Sequence, residues 1–441
     1  MKKTIEIKEF DIITSNKEYK GVYEFLDKES FTLLENMILQ FNQNEDADAL
    51  DFFSITTKRH IGKVIRAKNY VGNIQLNNGI QIQILPKIHG KSANDPKKTF
   101  LKMLRSLKDF PNKTFNENSL RTDRMTLFEV FINMYIQEAE VLVKRGLKSS
   151  YYTVEDNLNV YKGKVLFSEQ LKFNHSHKER LYTRYDEYGK DRAENRLIKS
   201  TLLKLLKQSA NAENINKIRK LLIHFELIKP SINYLKDFSK VKVDRNTRDY
   251  EAIMVWSRVF LNNESFTTFS GNTFGKALLF PMEKVFEAYI GRHLKKLLYN
   301  SNWEVVLQDK GYHLFKGKFA LRPDIVLKNG NRKIIIDTKW KILNNIQSSN
   351  YGISQSDMYQ MYAYAKKYGS KEIWLIYPTS VEVEHLKDIC FSTNEGEQSA
   401  EVKVFFVDCH NVEESLGSFI EKVNYRNKRA FDYIDTSLDS C

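Results

Sequence analysis

Cysteine, proline and tryptophan are scarce in this chain of 441 residues, at 3, 7 and 4 copies. Cys390, Cys409 and Cys441 are odd in number, widely spaced and form no CxxC pair. That excludes a disulfide scaffold and a zinc ribbon and suits a reducing compartment. The few prolines and the lack of any low-complexity stretch leave no candidate tether, so closely packed domains are expected. No apolar run reaches the roughly 18 residues of a membrane helix, and MKKTIEIKEFDIITSNKEYK carries no apolar segment of signal-peptide length. A cytoplasmic chain without membrane contact is the expectation. A P-loop is missing too: GNTFGKA at 271–277 has three residues between its glycines and Ala277 where Ser or Thr belongs. There is no GxSxG elbow, and His175-Ser176-His177 has no third ligand at a recognisable spacing.

What is present is a sizeable apolar fraction, 42% hydrophobic and 12% aromatic, enough for real cores. The length predicts two or three domains. The net charge of +14 is unevenly spread: residues 1–50 sum to −5, residues 51–280 to +18 and residues 281–441 to +1. A basic middle beside a nearly neutral C-terminal third suggests separate tasks, with nucleic acid the expected polyanionic partner of the basic part.

Three segments differ in pattern. Residues 1–95 read as a β-rich module: TIEIKEFDII, KVIRAKNYVGNIQL and GIQIQILPKI are β-branched, and the last two flank the hairpin signal Asn77-Asn78-Gly79. Residues 96–270 read as mainly helical, with LFEVFINMYIQEAEVLVKRG ending at Gly146 as a C-cap. Residues 271–441 alternate as helix, three-strand meander, helix and strand, an α/β sandwich whose sheet is covered on both sides. A mixed α/β, multidomain chain is therefore expected.

Charge sits in an unexpected place within that last segment. In LRPDIVLKNGNRKIIIDTKWK, residues 321–341, two aspartates and a lysine interrupt apolar runs. On a strand over 333–339, Asp337 and Lys339 share a face. With a four-residue turn at Lys328–Asn331, Asp324 lies opposite Ile335 and diagonal to Asp337, within about 7–8 Å at the backbone. Two carboxylates that close need a cation between them. Oxygen ligands suit a hard divalent ion, Mg²⁺ by default with Mn²⁺ as substitute. Such an ion with a lysine at its rim is the equipment for phosphodiester hydrolysis. An isolated D…DxK is most often an edge-strand salt bridge, so the surroundings decide.

Those surroundings resemble the PD-(D/E)xK nuclease signature, in Pro323-Asp324 and then Asp337-Thr338-Lys339 after a hydrophobic strand. Gln360 and Tyr364 in QMYAY resemble the QxxxY motif of the RecB-like branch, and residues i and i+4 share a helical face. MEKVFEAYIGRHL resembles the leading helix, with Glu287 at its acidic position. The resemblance implies Asp324, Asp337, Lys339, Glu287, Gln360 and Tyr364 as the catalytic set and Asp324, Asp337 and Thr338 as metal ligands.

Further upstream, Gly163-Lys164-Val165 and the run Asp191 to Lys199 (DRAENRLIK) are similar to the middle region of McrC-type restriction subunits. Over roughly residues 125–410 the chain resembles that family; Tyr161-Lys162 stands where the family often has Leu-Arg. The resemblance implies an endonuclease subunit that acts on double-stranded DNA with a McrB-like AAA+ GTPase or ATPase partner. Without a P-loop here, nucleotide hydrolysis is expected from that partner. Residues 1–95, net acidic at the start, are expected to dock on it and to be dispensable for the nuclease fold. Two other readings remain at this stage: a non-catalytic stimulator of the motor, or a stand-alone RecB-like nuclease. The intact Asp-Asp-Lys trio favours catalysis, and a stand-alone nuclease leaves the basic front of the chain without a role.

Overall fold

The computed structural model describes residues 4–43, 52–88, 96–108, 110–111, 125–241, 245, 247–262, 276–380, 383, 386, 389–393 and 399–435. Cys441 and residues 271–275 of the P-loop near miss lie outside this set. The chain forms two compact units, Thr114–Leu278 and a second assembled from Thr4–Lys113 with Leu279–Cys441. The fold is mixed α/β, as expected.

A six-stranded sheet dominates the second unit. Its order is Glu304–Leu307, Ile325–Asn329, Arg332–Thr338, Glu372–Pro378, Glu401–Val407 and Cys390–Ser392. The first three strands form an antiparallel meander, the next two add in parallel, and the short last strand closes the edge antiparallel. Ile334, Ile335 and Ile336 are all fully buried because both sheet faces are covered. On one face Val326, Ile335, Ile373 and Leu375 pack with Met361, Tyr364 and Ala365 of the helix Gln355–Tyr368. Ser354 caps that helix by accepting from the Asp357 N–H at 3.1 Å, and Gly369 in the left-handed region ends it. On the other face Trp374 and Phe405 stack edge-on to Phe419 of the helix Val412–Asp435. The helix Met282–Leu297 joins that layer through the Lys296–Glu413 ion pair at 2.6 Å.

The front of the chain adds two four-stranded sheets and the helix Lys28–Gln43. The expected turn at Asn77-Asn78-Gly79 is present, with Gly79 at φ 87° and the Leu76 N–H donating to Ile80 O at 2.9 Å. Residues 1–95 are nevertheless not a free-standing module. The sheet of Thr4–Lys8, Gln81–Leu85 and Tyr70–Gln75 takes its fourth strand, Lys276–Pro281, from the far end of the chain. Beyond it the Met282 N–H donates to Asn69 O at 2.9 Å, and Asn69 Nδ2 donates to Glu283 at 2.7 Å. The helix Pro96–Leu104, expected in the middle segment, also belongs here: Phe100 packs on Phe280, and Thr99 Oγ1 contacts His410 Nδ1 at 2.6 Å. Pairing across some two hundred residues leaves no local pattern, which is why periodicity alone draws a boundary the chain does not have.

The other unit is helical around a twisted ribbon. The helix Leu127–Arg145 is capped by Thr126 and ended by Gly146 at φ 89°. Its Phe131 and Tyr135 pack on Trp256 and Phe260 of the helix Glu251–Asn262. The ribbon pairs Ser150–Leu158 with Leu181–Gly189, and Lys164–Val165 joins its edge. Here Gly163 sits at φ 72° against the neighbouring strand, where an added Cβ would lie 2.3 Å from Arg184 O. The polar residues of the 191–199 run hold this unit together. Arg192 clamps Glu194 with two bonds of 2.7 Å, Asn195 accepts from Tyr250 OH at 2.9 Å, and Arg196 pairs with Asp237 at 2.9 Å.

Candidate active site

The meander sets the geometry of the acidic cluster. Its hairpin closes on two residues, Gly330 and Asn331, because Asn329 pairs with Arg332. This turn is tighter than the four-residue one expected from the sequence, and it changes the register. Ile325 pairs with Ile336, so Asp324 comes level with Asp337 instead of diagonal to it. Two carboxyl groups thus meet where their strands end. The Thr338 N–H and Oγ1–H both donate to Asp324 Oδ2 at 2.7 Å, fixing that carboxylate. The Thr338 side chain therefore orients Asp324, and only its carbonyl is left to act as a ligand.

Lys339 lies on the same side and is half-buried. Its Nζ is 2.8 Å from Asp337 Oδ2, donates to Gln360 Oε1 at 3.0 Å and lies 3.5 Å from Asp357 Oδ1. Gln360 Nε2 in turn donates to the buried Tyr364 OH at 2.8 Å. The two motif residues of the helix therefore form a relay that ends on the lysine. Glu287 stands apart from this relay. It accepts from Gln308 Nε2 at 2.8 Å, while the Gln308 N–H donates to Asp324 O at 2.8 Å. Gln308 holds both bonds from a left-handed backbone at φ 48°.

Burial and like charge dominate the electrostatics. Asp337, only 2% exposed, has its carboxyl pushed up to about 7, by burial first and then by the charge of Asp324, with Lys339 opposing. Glu287 is also pushed up to about 7, by burial and then by Asp324. Burial raises Asp324 as well, against its two bonds from Thr338. For Lys339, burial would lower the ammonium, but Asp337, Asp357 and Asp324 outweigh it and hold the group above its ordinary value. Burial followed by the charge of Asp337 raises Tyr364, which stays a neutral phenol.

All the residues singled out in the sequence for chemistry therefore lie at one end of this sheet. Sequence reasoning missed two participants. Asp357 precedes Gln360 by three residues on the same helix, so its spacing could have revealed it. Gln308 had no such signal, because its role depends on where an edge strand stops. Among the described residues no three His, Cys, Asp or Glu side chains form a metal-holding group. The available donors are two carboxylates and a backbone carbonyl. These are hard oxygens, and both acids are raised in a way a divalent cation would relieve, so the set fits such an ion. His175 and His177 are exposed, with His177 facing Glu179 at 3.2 Å. No helix among the described residues is long and apolar enough to cross a membrane.

A buried sheet end with acids, a lysine and a glutamine–tyrosine relay defines a candidate hydrolytic site on an α/β unit. The family model described as "McrBC 5-methylcytosine restriction system component" matches residues 65–378, so the chain belongs to that family. Among solved structures, McrC bound to McrB AAA+ hexamers from Thermococcus gammatolerans is similar at a TM-score of 0.65 and 19% identity. That match covers 94% of this chain and 100% of the other, and at this identity it shows the fold. The Thermococcus gammatolerans McrBC complex matches at a TM-score of 0.46 and 21% identity, over 67% of this chain and 88% of the other. No match is found among the curated proteins.

Proposed function

We propose that this chain is the endonuclease subunit of a McrBC-like restriction complex, a PD-(D/E)xK-type, Mg²⁺-dependent hydrolase of DNA phosphodiesters. One observation carries the reading: Asp324, Asp337 and Lys339 meet at the end of a buried sheet, with the Gln360–Tyr364 relay bonded to the lysine. A structural salt bridge needs neither a second buried carboxylate nor a relay.

Asp324, through the oxygen not taken by Thr338, Asp337 and the Thr338 carbonyl would hold the ion, with Glu287 beside them. When bound, Mg²⁺, or Mn²⁺ in its place, polarises a phosphoryl oxygen and lowers the pKa of bound water. The protein's own groups set the rest. Thr338 aims Asp324 and opposes the upward push of burial on its carboxyl, and Lys339 places a fixed positive charge beside the position where negative charge develops on phosphorus. Gln360 fixes the lysine head, and Tyr364 fixes the orientation of the Gln360 amide. Targeting and translocation of DNA fall to a McrB-like AAA+ NTPase, whose hydrolysis this subunit stimulates; the Thermococcus gammatolerans relative is bound to such hexamers.

The test is cleavage of long double-stranded DNA by the chain reconstituted with a McrB-type AAA+ ATPase or GTPase. Cleavage is expected with Mg²⁺ or Mn²⁺ and none in EDTA. Equal cleavage in EDTA and Mg²⁺ rejects the metal-dependent site, and stimulation of NTP hydrolysis without any cleavage favours a non-catalytic stimulator.

A further inference from the structure

The segment that leads into Pro323-Asp324 is a two-stranded hairpin, His313–Phe315 paired with Lys318–Ala320 around Lys316-Gly317. Its base is fixed to the site. The Leu321 N–H donates to Tyr312 O at 2.8 Å, the Tyr312 ring packs on Tyr368 at 4.2 Å, and Lys333 donates to Tyr312 OH at 2.9 Å. Its tip is covered by nothing among the described residues. Phe315 and Phe319 are 68% and 69% exposed, with ring centroids 5.8 Å apart. Phe319 holds a left-handed backbone at φ 56°, a conformation that bulky side chains rarely adopt. A strained backbone that holds an apolar ring in water is a cost to the free protein, and such outliers gather at ligand-contacting sites.

The charge around these rings identifies the ligand. From Lys310 to Arg322 the chain carries Lys310, Lys316, Lys318 and Arg322 and no acidic residue, and all four are exposed. A cationic arm with two bare aromatic rings matches a nucleic-acid strand, phosphate outside and base faces inside. A protein partner docking on apolar side chains would not require an arm free of acids. The arm is also continuous with Asp324.

We propose that the hairpin is a DNA-contacting arm of the nuclease site: Lys316 and Lys318 engage phosphates, and Phe315 and Phe319 stack on bases unstacked beside the scissile bond. The proposal rests on the nuclease reading above, and its test is separated from cleavage by working in EDTA.

The experiment measures binding of the full chain to a fluorescein-labelled duplex carrying a short single-stranded gap, by anisotropy over a range of salt. For Lys316→Gln/Lys318→Gln, the slope of log K against log salt should fall by about 2. For Phe315→Ser/Phe319→Gly, affinity should fall at least about thirty-fold at unchanged slope. The single change Phe319→Gly relieves the left-handed strain, so it should weaken binding while Tm holds or rises. A ring kept for structure would show the opposite, a lower Tm with unchanged binding. Wild-type affinity and slope in both double variants, or no DNA binding by the wild-type chain, overturn the proposal. So does loss of the AAA+ partner with DNA affinity intact, which would make the arm a protein-docking element. If the hairpin variants behave as stated but Asp337→Asn still cleaves, the arm stands and the assignment of the catalytic site fails.

Discussion

Lys339 is the most connected side chain of the site, touching Asp337, Gln360 and Asp357. Its partners therefore separate chemistry from positioning. Lys339→Ala should reduce cleavage at least about a hundred-fold, the scale of removing one preorganised charge from a transition state. Gln360→Ala removes a group that holds Lys339 without itself facing phosphate, and the loss should be about ten-fold with metal affinity retained. Abolished activity in Gln360→Ala at unchanged Mn²⁺ affinity would place Gln360 in contact with substrate or ion. These residue identities were legible in the sequence because D…DxK and QxxxY are local spacings. The register was not, because a two-residue turn at Gly330-Asn331 and a four-residue turn fit the same letters.

At the scale of elements, long-range ties matter most, and they are what a sequence conceals. The buried Glu9 of the first strand segment accepts from Trp340 Nε1 at 3.0 Å and from the Lys87 N–H at 3.0 Å. Trp340 directly follows Lys339 and packs on Phe286. Burial pushes the Glu9 carboxyl up to about 8. A raised acid binds its proton in the folded chain at pH values where the unfolded chain has released it. Stability therefore falls as pH rises from about 4.5 through about 8. Melting in EDTA should show that decline, and Glu9→Gln should remove about a third of it, leaving the shares of Asp337, Glu287 and Asp324. An unchanged pH profile in Glu9→Gln would mean that Glu9 is ionised in the fold. A second element test concerns Gly163, whose left-handed φ and closeness to Arg184 O forbid a Cβ. Gly163→Ala should cost about 1–3 kcal/mol of stability, read as a lower urea midpoint. The glycine was visible in GKV; the strand against it was not.

For the whole molecule, the division of labour read from charge needs restating. The acidic first 50 residues and the nearly neutral last 161 share one compact unit, while the helical unit lies within the basic stretch. A chain beginning near residue 97 would lack three of the four strands of the sheet that holds Lys276–Pro281, together with the partner of Trp340. Such a truncation should be insoluble or lack a cooperative melt, whereas a free-standing nuclease would melt normally. The sequence-based expectation that residues 1–95 are dispensable predicts the second outcome, and the cross-chain strand pairing that argues for the first has no local signature. Helix, meander, helix and strand were readable from periodicity in the C-terminal third, since each element there is built from neighbours.

The central claim is that the paired carboxylates at the end of the sheet hydrolyse DNA. Single-turnover cleavage of long DNA by the complex carrying Asp337→Asn tests it most directly, with Tm measured on the same preparation in EDTA. The substitution keeps the shape and removes one of two repelling, buried charges. The account predicts no product above the metal-free background, at a Tm equal to or above that of the wild type. Cleavage at the wild-type rate would contradict it.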